Sequence, residues 1–75
     1  MWENKTMETI ELREEYIKLG QALKAAGMVS SGVEAKIVIQ DGLVKVNGVI
    51  EYQRGKKLYH GAVIEFDGQT VKIVG

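Results

Sequence analysis

Ser31-Gly32-Val33-Glu34-Ala35-Lys36-Ile37-Val38-Ile39-Gln40-Asp41-Gly42-Leu43-Val44-Lys45-Val46-Asn47-Gly48 holds a helix, its stop, a strand and the turn that ends the strand. Ser31 followed three residues later by Glu34 is a capping box: the serine oxygen can accept from the Glu34 backbone N–H, and the Glu34 side chain can reach back. The helix opened in this way runs from Gly32 to about Asp41, with Gly42 as its stop. Its Ile37-Val38-Ile39 run is β-branched and taken alone reads equally as strand. The cap before it and the glycine after it decide for helix. From Leu43 the period changes to two. Leu43 to Val46, Asn47-Gly48 and Val49 to Tyr52 then read as a hairpin, because Asn-Gly accepts the left-handed conformations of a two-residue turn.

Upstream, Leu19, Ala22, Leu23 and Ala26 fall at i, i+3, i+4 and i+7, the buried stripe of another helix, and Gly27 stops it. Gln21 and Lys24 project from its opposite side. Glu14 and Glu15 precede this pattern, where negative charge favours a helix N-terminus. Thr6 to Arg13 alternates polar residues with Ile10 and Leu12, the pattern of a short strand whose first residues fray. Downstream, Gln53 to Lys57 reads as a polar, glycine-containing loop. Val63 to Phe66, Asp67-Gly68 and Thr70 to Val74 form a second hairpin. The expected fold is α+β: two packed helices followed by a small antiparallel sheet of hairpins. The chain divides into an acidic segment, 1–16, with a short strand, and a domain over 17–75, with no linker or repeat.

The chain has 75 residues and no cysteine, so neither a disulfide framework nor a thiolate metal site is available. At this length a domain buries only about 60% of its unfolded surface. The 45% hydrophobic content is ample for a core. No apolar run is long enough to span a membrane, and Met1 to Lys5 lacks the basic start and apolar stretch of a secretory signal. The expected location is the cytoplasm. The formal net charge is zero, but it is unevenly placed. Glu3, Glu8, Glu11, Glu14 and Glu15 outweigh Lys5 and Arg13 in residues 1–16, and Arg54, Lys56 and Lys57 cluster later. Screening acts over about 8 Å at physiological salt, so a neutral total can hide a basic face. A 27% charged content is by itself ordinary for a soluble surface.

Parts for a catalytic site are scarce, and no enzyme activity and no cofactor are expected. His60 is the single histidine, and one ligand cannot hold a catalytic zinc. It precedes Gly61 in a turn, where it is expected to face solvent. Ser30 and Ser31 lack a nearby base and are accounted for by capping. Glu14 and Glu15 are adjacent, a poor geometry for paired acid–base work. Gly42, Gly48, Gly55, Gly61 and Gly68 stand at turns and element ends and form no phosphate-cradling motif before a helix.

Three pieces in order resemble a known family. They are Leu19-Gly20-Gln21-Ala22-Leu23-Lys24-Ala25-Ala26-Gly27, then Ser31 to Lys36, then Asp41-Gly42-Leu43-Val44-Lys45-Val46-Asn47-Gly48. They look like the ribosomal-protein S-four type RNA-binding domain, the αL RNA-binding motif, over roughly residues 17 to 66. The same module occurs in pseudouridine synthases, bacterial tyrosyl-tRNA synthetases and a small ribosome-associated heat-shock protein. Ser31-Gly32-Val33-Glu34-Ala35-Lys36 and Arg54-Gly55-Lys56-Lys57 are similar to the stand-alone bacterial members.

The resemblance implies a non-catalytic monomer that holds structured RNA, ribosomal or transfer RNA, with a ribosomal protein as a further partner. Carried over by position, the implied RNA-binding residues are Lys18, Lys24, Ser31, Lys36, Lys45, Asn47, Arg54, Lys56 and Lys57. Lysine offers phosphate a point charge and arginine a planar fork. The start of the second helix offers N–H groups to an anion. The sequence departs from the family where arginines often follow the helix-two serine, at Gly32 and Val33, and where Gly61-Ala62 replaces a usual Gly-Asp. On a helical wheel Ala35, Val38 and Ile39 face the core while Val33 and Ile37 point nearly the opposite way. Exposed apolar residues there define an alternative, a protein-interaction module docking on a ribonucleoprotein.

Overall fold

The computed structural model describes residues 8–75. Its elements run β1 (Glu8–Glu11), β2 (Ile17–Lys18), α1 (Leu19–Ala25), α2 (Gly32–Gln40), β3 (Val44–Val46), β4 (Val49–Ile50), β5 (Lys57–Leu58), β6 (Val63–Phe66) and β7 (Gln69–Val74). Thr6 and Met7, at the start of the expected strand where fraying was placed, lie outside the described residues.

Local signals placed the helices and turns. Ser31 caps α2, its Oγ accepting from the Glu34 N–H at 3.1 Å. Gly27 and Gly42 follow the helix C-caps with φ of 74° each, the left-handed backbone at which glycine carries no Cβ penalty. Asn47 and Gly48 take φ of 53° and 84°, and Asp67 and Gly68 take 53° and 77°. Both two-residue hairpins therefore have the positive-φ pair that matches the strands' twist. Register follows from these turns: Val46 opposes Val49, and Phe66 opposes Gln69.

The sheet differs from the expected arrangement in two respects. It is mixed, in the order β1-β7-β6-β3-β4, with β1 running parallel to β7, so strands flank the helices on both sides in sequence. Parallel pairing requires a long crossover, and here nearly the whole chain is the crossover, beyond the reach of local pattern. A separate antiparallel pair joins β2 to β5, with Ile17 opposite Leu58 and Lys18 opposite Lys57. Lys57 is accordingly a strand residue rather than part of a loop. Because β2 precedes α1, Glu14 and Glu15 do not sit at its N-terminus, and its first turn has no acidic residue.

One face of the sheet carries Val44, Val46, Ile64 and Ile73, which pack with Leu19, Ala22 and Leu23 of α1 and Ala35 and Ile39 of α2 into one core. Leu58 joins it from β5. Alternation along the strands sends Lys45, Glu65 and Lys72 to the other, exposed face. Among the described residues no charged or polar side chain is buried, and no helix is long and apolar enough to cross a membrane.

Candidate nucleic-acid interface

The segment between β4 and β5 is fastened to the start of α1. The Leu19 N–H donates to the Lys56 carbonyl at 2.9 Å and the Gly20 N–H to the Arg54 carbonyl at 3.0 Å. Two of the helix's otherwise unpartnered N–H groups are thereby satisfied. Arg54 also lays its aliphatic stem against Gly20: a Cβ at that position would lie 2.7 Å from Arg54 Cγ. Gly20 is thus a positioning residue for the basic loop, and sequence reading passed it over. Its signal was a glycine just inside a helical stripe, a costly choice unless another group approaches closely.

These contacts assemble one open groove. Lys18, Lys24 and Arg54 line it together with Gly20, Gln21, Gly32, Ala35 and Gly55, so its lining carries three cations and no carboxylate. Lys36 stands one helical turn beyond Gly32, on the exposed flank of α2. A second depression, also without carboxylates, is lined by Asn47, Lys56, Lys57, Tyr59 and His60 among others. Lys18 directly opposes Lys57 across the β2–β5 pair and so joins the two areas.

The remaining candidates are placed differently. Lys45 stands on the exposed sheet face, directly opposite Glu65, in a depression that also holds Asp67. It does not extend the strip formed by Lys18, Lys24, Arg54, Lys56 and Lys57. Asn47 Oδ1 accepts from the Val63 N–H at 2.9 Å, which ties the first hairpin to β6. Ser31 Oγ is engaged in the α2 cap. His60 is exposed, and its Nδ1 accepts from the Gly75 N–H at 3.1 Å.

The start of α2 also departs from the expected capping box. Glu34 reaches back to Ser30, not Ser31: its Oε1 accepts from the Ser30 N–H at 2.8 Å and from Ser30 Oγ at 2.9 Å. The Ser30 backbone N–H, then its hydroxyl, hold the Glu34 carboxyl below its ordinary value. This part of the cap is therefore present above the unfolded carboxyl pKa and fades as pH falls through the lowered folded value. A fixed carboxylate, rather than open N–H groups alone, meets an anion arriving here.

On α2 the core side is Ala35 and Ile39, both fully buried, while Val33 and Ile37 are 70% and 53% exposed. The wheel's separation of the two sets holds.

A family model described as the S4 domain matches residues 10–74. The chain is similar to "Putative RNA-binding protein YbcJ" of Escherichia coli, 36% identical over 69 residues, covering 91% of this chain and 99% of that one. It is similar to "Probable ribosome maturation protein RlbA" of Bacillus subtilis, 42% identical over 59 residues, covering 79% and 83%. The solution structure of YbcJ, described as revealing an αL motif involved in RNA binding, superposes with a TM-score of 0.76. That match has 33% identity and covers 100% of this chain and 96% of the other.

Proposed function

The chain belongs to the S4 domain family, and on that premise we propose that it binds structured RNA, ribosomal or transfer RNA, without catalysing a reaction. The observation that carries this reading is the groove lined by Lys18, Lys24 and Arg54 with no carboxylate among its lining residues. Lys56 and Lys57 continue the positive surface through the Lys18–Lys57 pair. A-form RNA is held mainly through its phosphates and shape, for which separated ammonium groups on a rigid frame are suited. The proposed contact residues fall within 17–75, the segment taken as the RNA-binding unit. The name of the Bacillus subtilis relative favours a ribosome-related RNA, and the proposed location is the cytoplasm. Crosslinking in cells followed by sequencing of the bound RNA tests this: enrichment of ribosomal or transfer RNA is expected, and recovery at background levels would overturn it.

Gly32→Arg is expected to strengthen RNA binding several-fold. A Cβ at this position meets nothing within 4 Å, and Gly32 lines the groove together with Lys24 and Arg54. The substitution lowers the entropy of the unfolded chain, stabilising by about 0.4–1 kcal/mol. A cation at a helix N-terminus costs about 0.3–1 kcal/mol, so stability should stay within about 1 kcal/mol of the parent. Thermal unfolding and RNA titration at two salt concentrations check both parts. A folded variant with unchanged or weaker affinity would mean that this end of α2 does not face RNA.

A second reading rests on the exposure of Val33 and Ile37. A pair of apolar side chains on one helix face fits a protein partner on a ribonucleoprotein particle. Val33→Ser with Ile37→Ser separates the readings: loss of particle association with unchanged affinity for free RNA supports protein docking through α2.

A further inference from the structure

The β2–β5 pair has a face that the groove does not account for. Ile17 and Leu58 turn toward the core, so Lys18 and Lys57 turn outward together. Extending the register by one residue sets Tyr16 against Tyr59, and their ring centroids lie 5.9 Å apart with an interplanar angle of 56°. Lys57 Nζ stands 4.8 Å from the centroid of the Tyr16 ring, within the range of a cation–π contact. The outer face therefore holds two cross-strand pairs, Tyr16 with Tyr59 and Lys18 with Lys57, on either side of the inward-facing Ile17–Leu58 pair.

Two features of this quartet point to a ligand. Lysines placed directly opposite one another on a strand pair repel, and the lean of Lys57 onto Tyr16 relieves this only in part. A phosphodiester between the ammonium groups would attract both and, with its single negative charge, relieve their repulsion. Tyr59 is 49% exposed, although its polar neighbours Lys57 and His60 would serve a plain solvated surface equally well. Its ring is tilted against Tyr16 rather than stacked on it, which leaves an aromatic surface beside the two cations. Phosphate next to a flat aromatic group is the chemistry of a nucleotide whose base is out of the helical stack.

We infer that Tyr16, Lys18, Lys57 and Tyr59 form a subsite for one unpaired nucleotide, its phosphate at the lysine pair and its base on Tyr59. This rests on the proposed RNA binding and adds to it a preference for duplexes interrupted by a bulge or ended by an overhang. The duplex lies along the groove, and the unpaired nucleotide reaches the strand pair through Lys18, which borders both.

The test uses a hairpin RNA with a blunt, fully paired stem and the same hairpin with one bulged 2-aminopurine nucleotide. The unaltered protein is expected to bind the bulged form roughly five- to hundredfold more tightly, the range of base–aromatic stacking, and to quench the 2-aminopurine fluorescence. Tyr59→Phe should retain the preference and the quench. Tyr59→Leu should lose both while binding the blunt hairpin as the parent does, with an unchanged circular dichroism spectrum. Equal affinities and no quench with the unaltered protein would overturn the subsite, whether or not the leucine variant folds. Retention of the preference in a folded Tyr59→Leu protein would overturn it too. In both of those results binding of the blunt hairpin leaves the proposed function standing, whereas failure to bind either RNA removes both.

Discussion

Combining Arg54→Glu, Lys56→Glu and Lys57→Glu is expected to reduce RNA affinity by at least about a hundredfold at physiological salt while the chain stays folded. By analogy with duplex DNA, each phosphate contact contributes about 0.9 to the slope of log affinity against log salt. Removing three contacts therefore accounts for a loss of this order, and the reversed charges add repulsion. The fold should tolerate the change because the loop is fastened through backbone groups: the Arg54 and Lys56 carbonyls accept from Gly20 and Leu19 whatever side chains they carry. Lys57→Glu also turns the like-charged pair with Lys18 into an attractive one. The packing lost is the Arg54 stem over Gly20 and the exposed contact of Lys57 with the Tyr16 ring. Circular dichroism and thermal unfolding should show stability within about 1 kcal/mol of the parent, the scale of exposed charge changes. Parent-like affinity in the folded triple variant would exclude this loop from the interface.

Ile39→Ala should have the largest effect on stability. Ile39 is fully buried in the core shared by α2 and the sheet, where truncation to alanine costs about 2–5 kcal/mol. A domain of this size has only about 4–11 kcal/mol in total, at roughly 0.05–0.15 kcal/mol per residue. The melting temperature should fall by roughly 10–30 °C, since each kcal/mol shifts it by about 4–8 °C in small domains. Val33→Ala, on the exposed side of the same helix, should change it little. Equal losses in the two variants would contradict the orientation of α2.

That orientation was legible in the sequence because its signals are local. Ser31, Gly42 and Asn47-Gly48 each act within a turn or two, and they settle the ambiguity of Ile37-Val38-Ile39. The parallel pairing of Glu8–Glu11 with β7 was not legible, since it joins opposite ends of the chain. Nor was the β2–β5 pair, whose strands are two residues long and show no period. The candidate site divides in the same way. Basic residues could be found by type, but Lys45 and Lys57 look alike in sequence. What distinguishes them is across the sheet, Glu65 for one and Lys18 for the other. Gly20 matters through Arg54, more than thirty positions away, and Glu34 chose Ser30 over the expected Ser31 by one residue of reach.

The most direct measurement of the central claim is a titration of the unaltered protein with a duplex-containing RNA across a series of salt concentrations. If Lys18, Lys24, Arg54, Lys56 and Lys57, with Lys36 at the edge, engage about four to six phosphates, log affinity should fall linearly with log salt, with a slope of roughly −3.5 to −5.5. RNAs of different sequence but the same shape should give nearly the same line. Binding that does not change with salt, or no binding at low salt, would contradict the claim that this basic strip holds RNA.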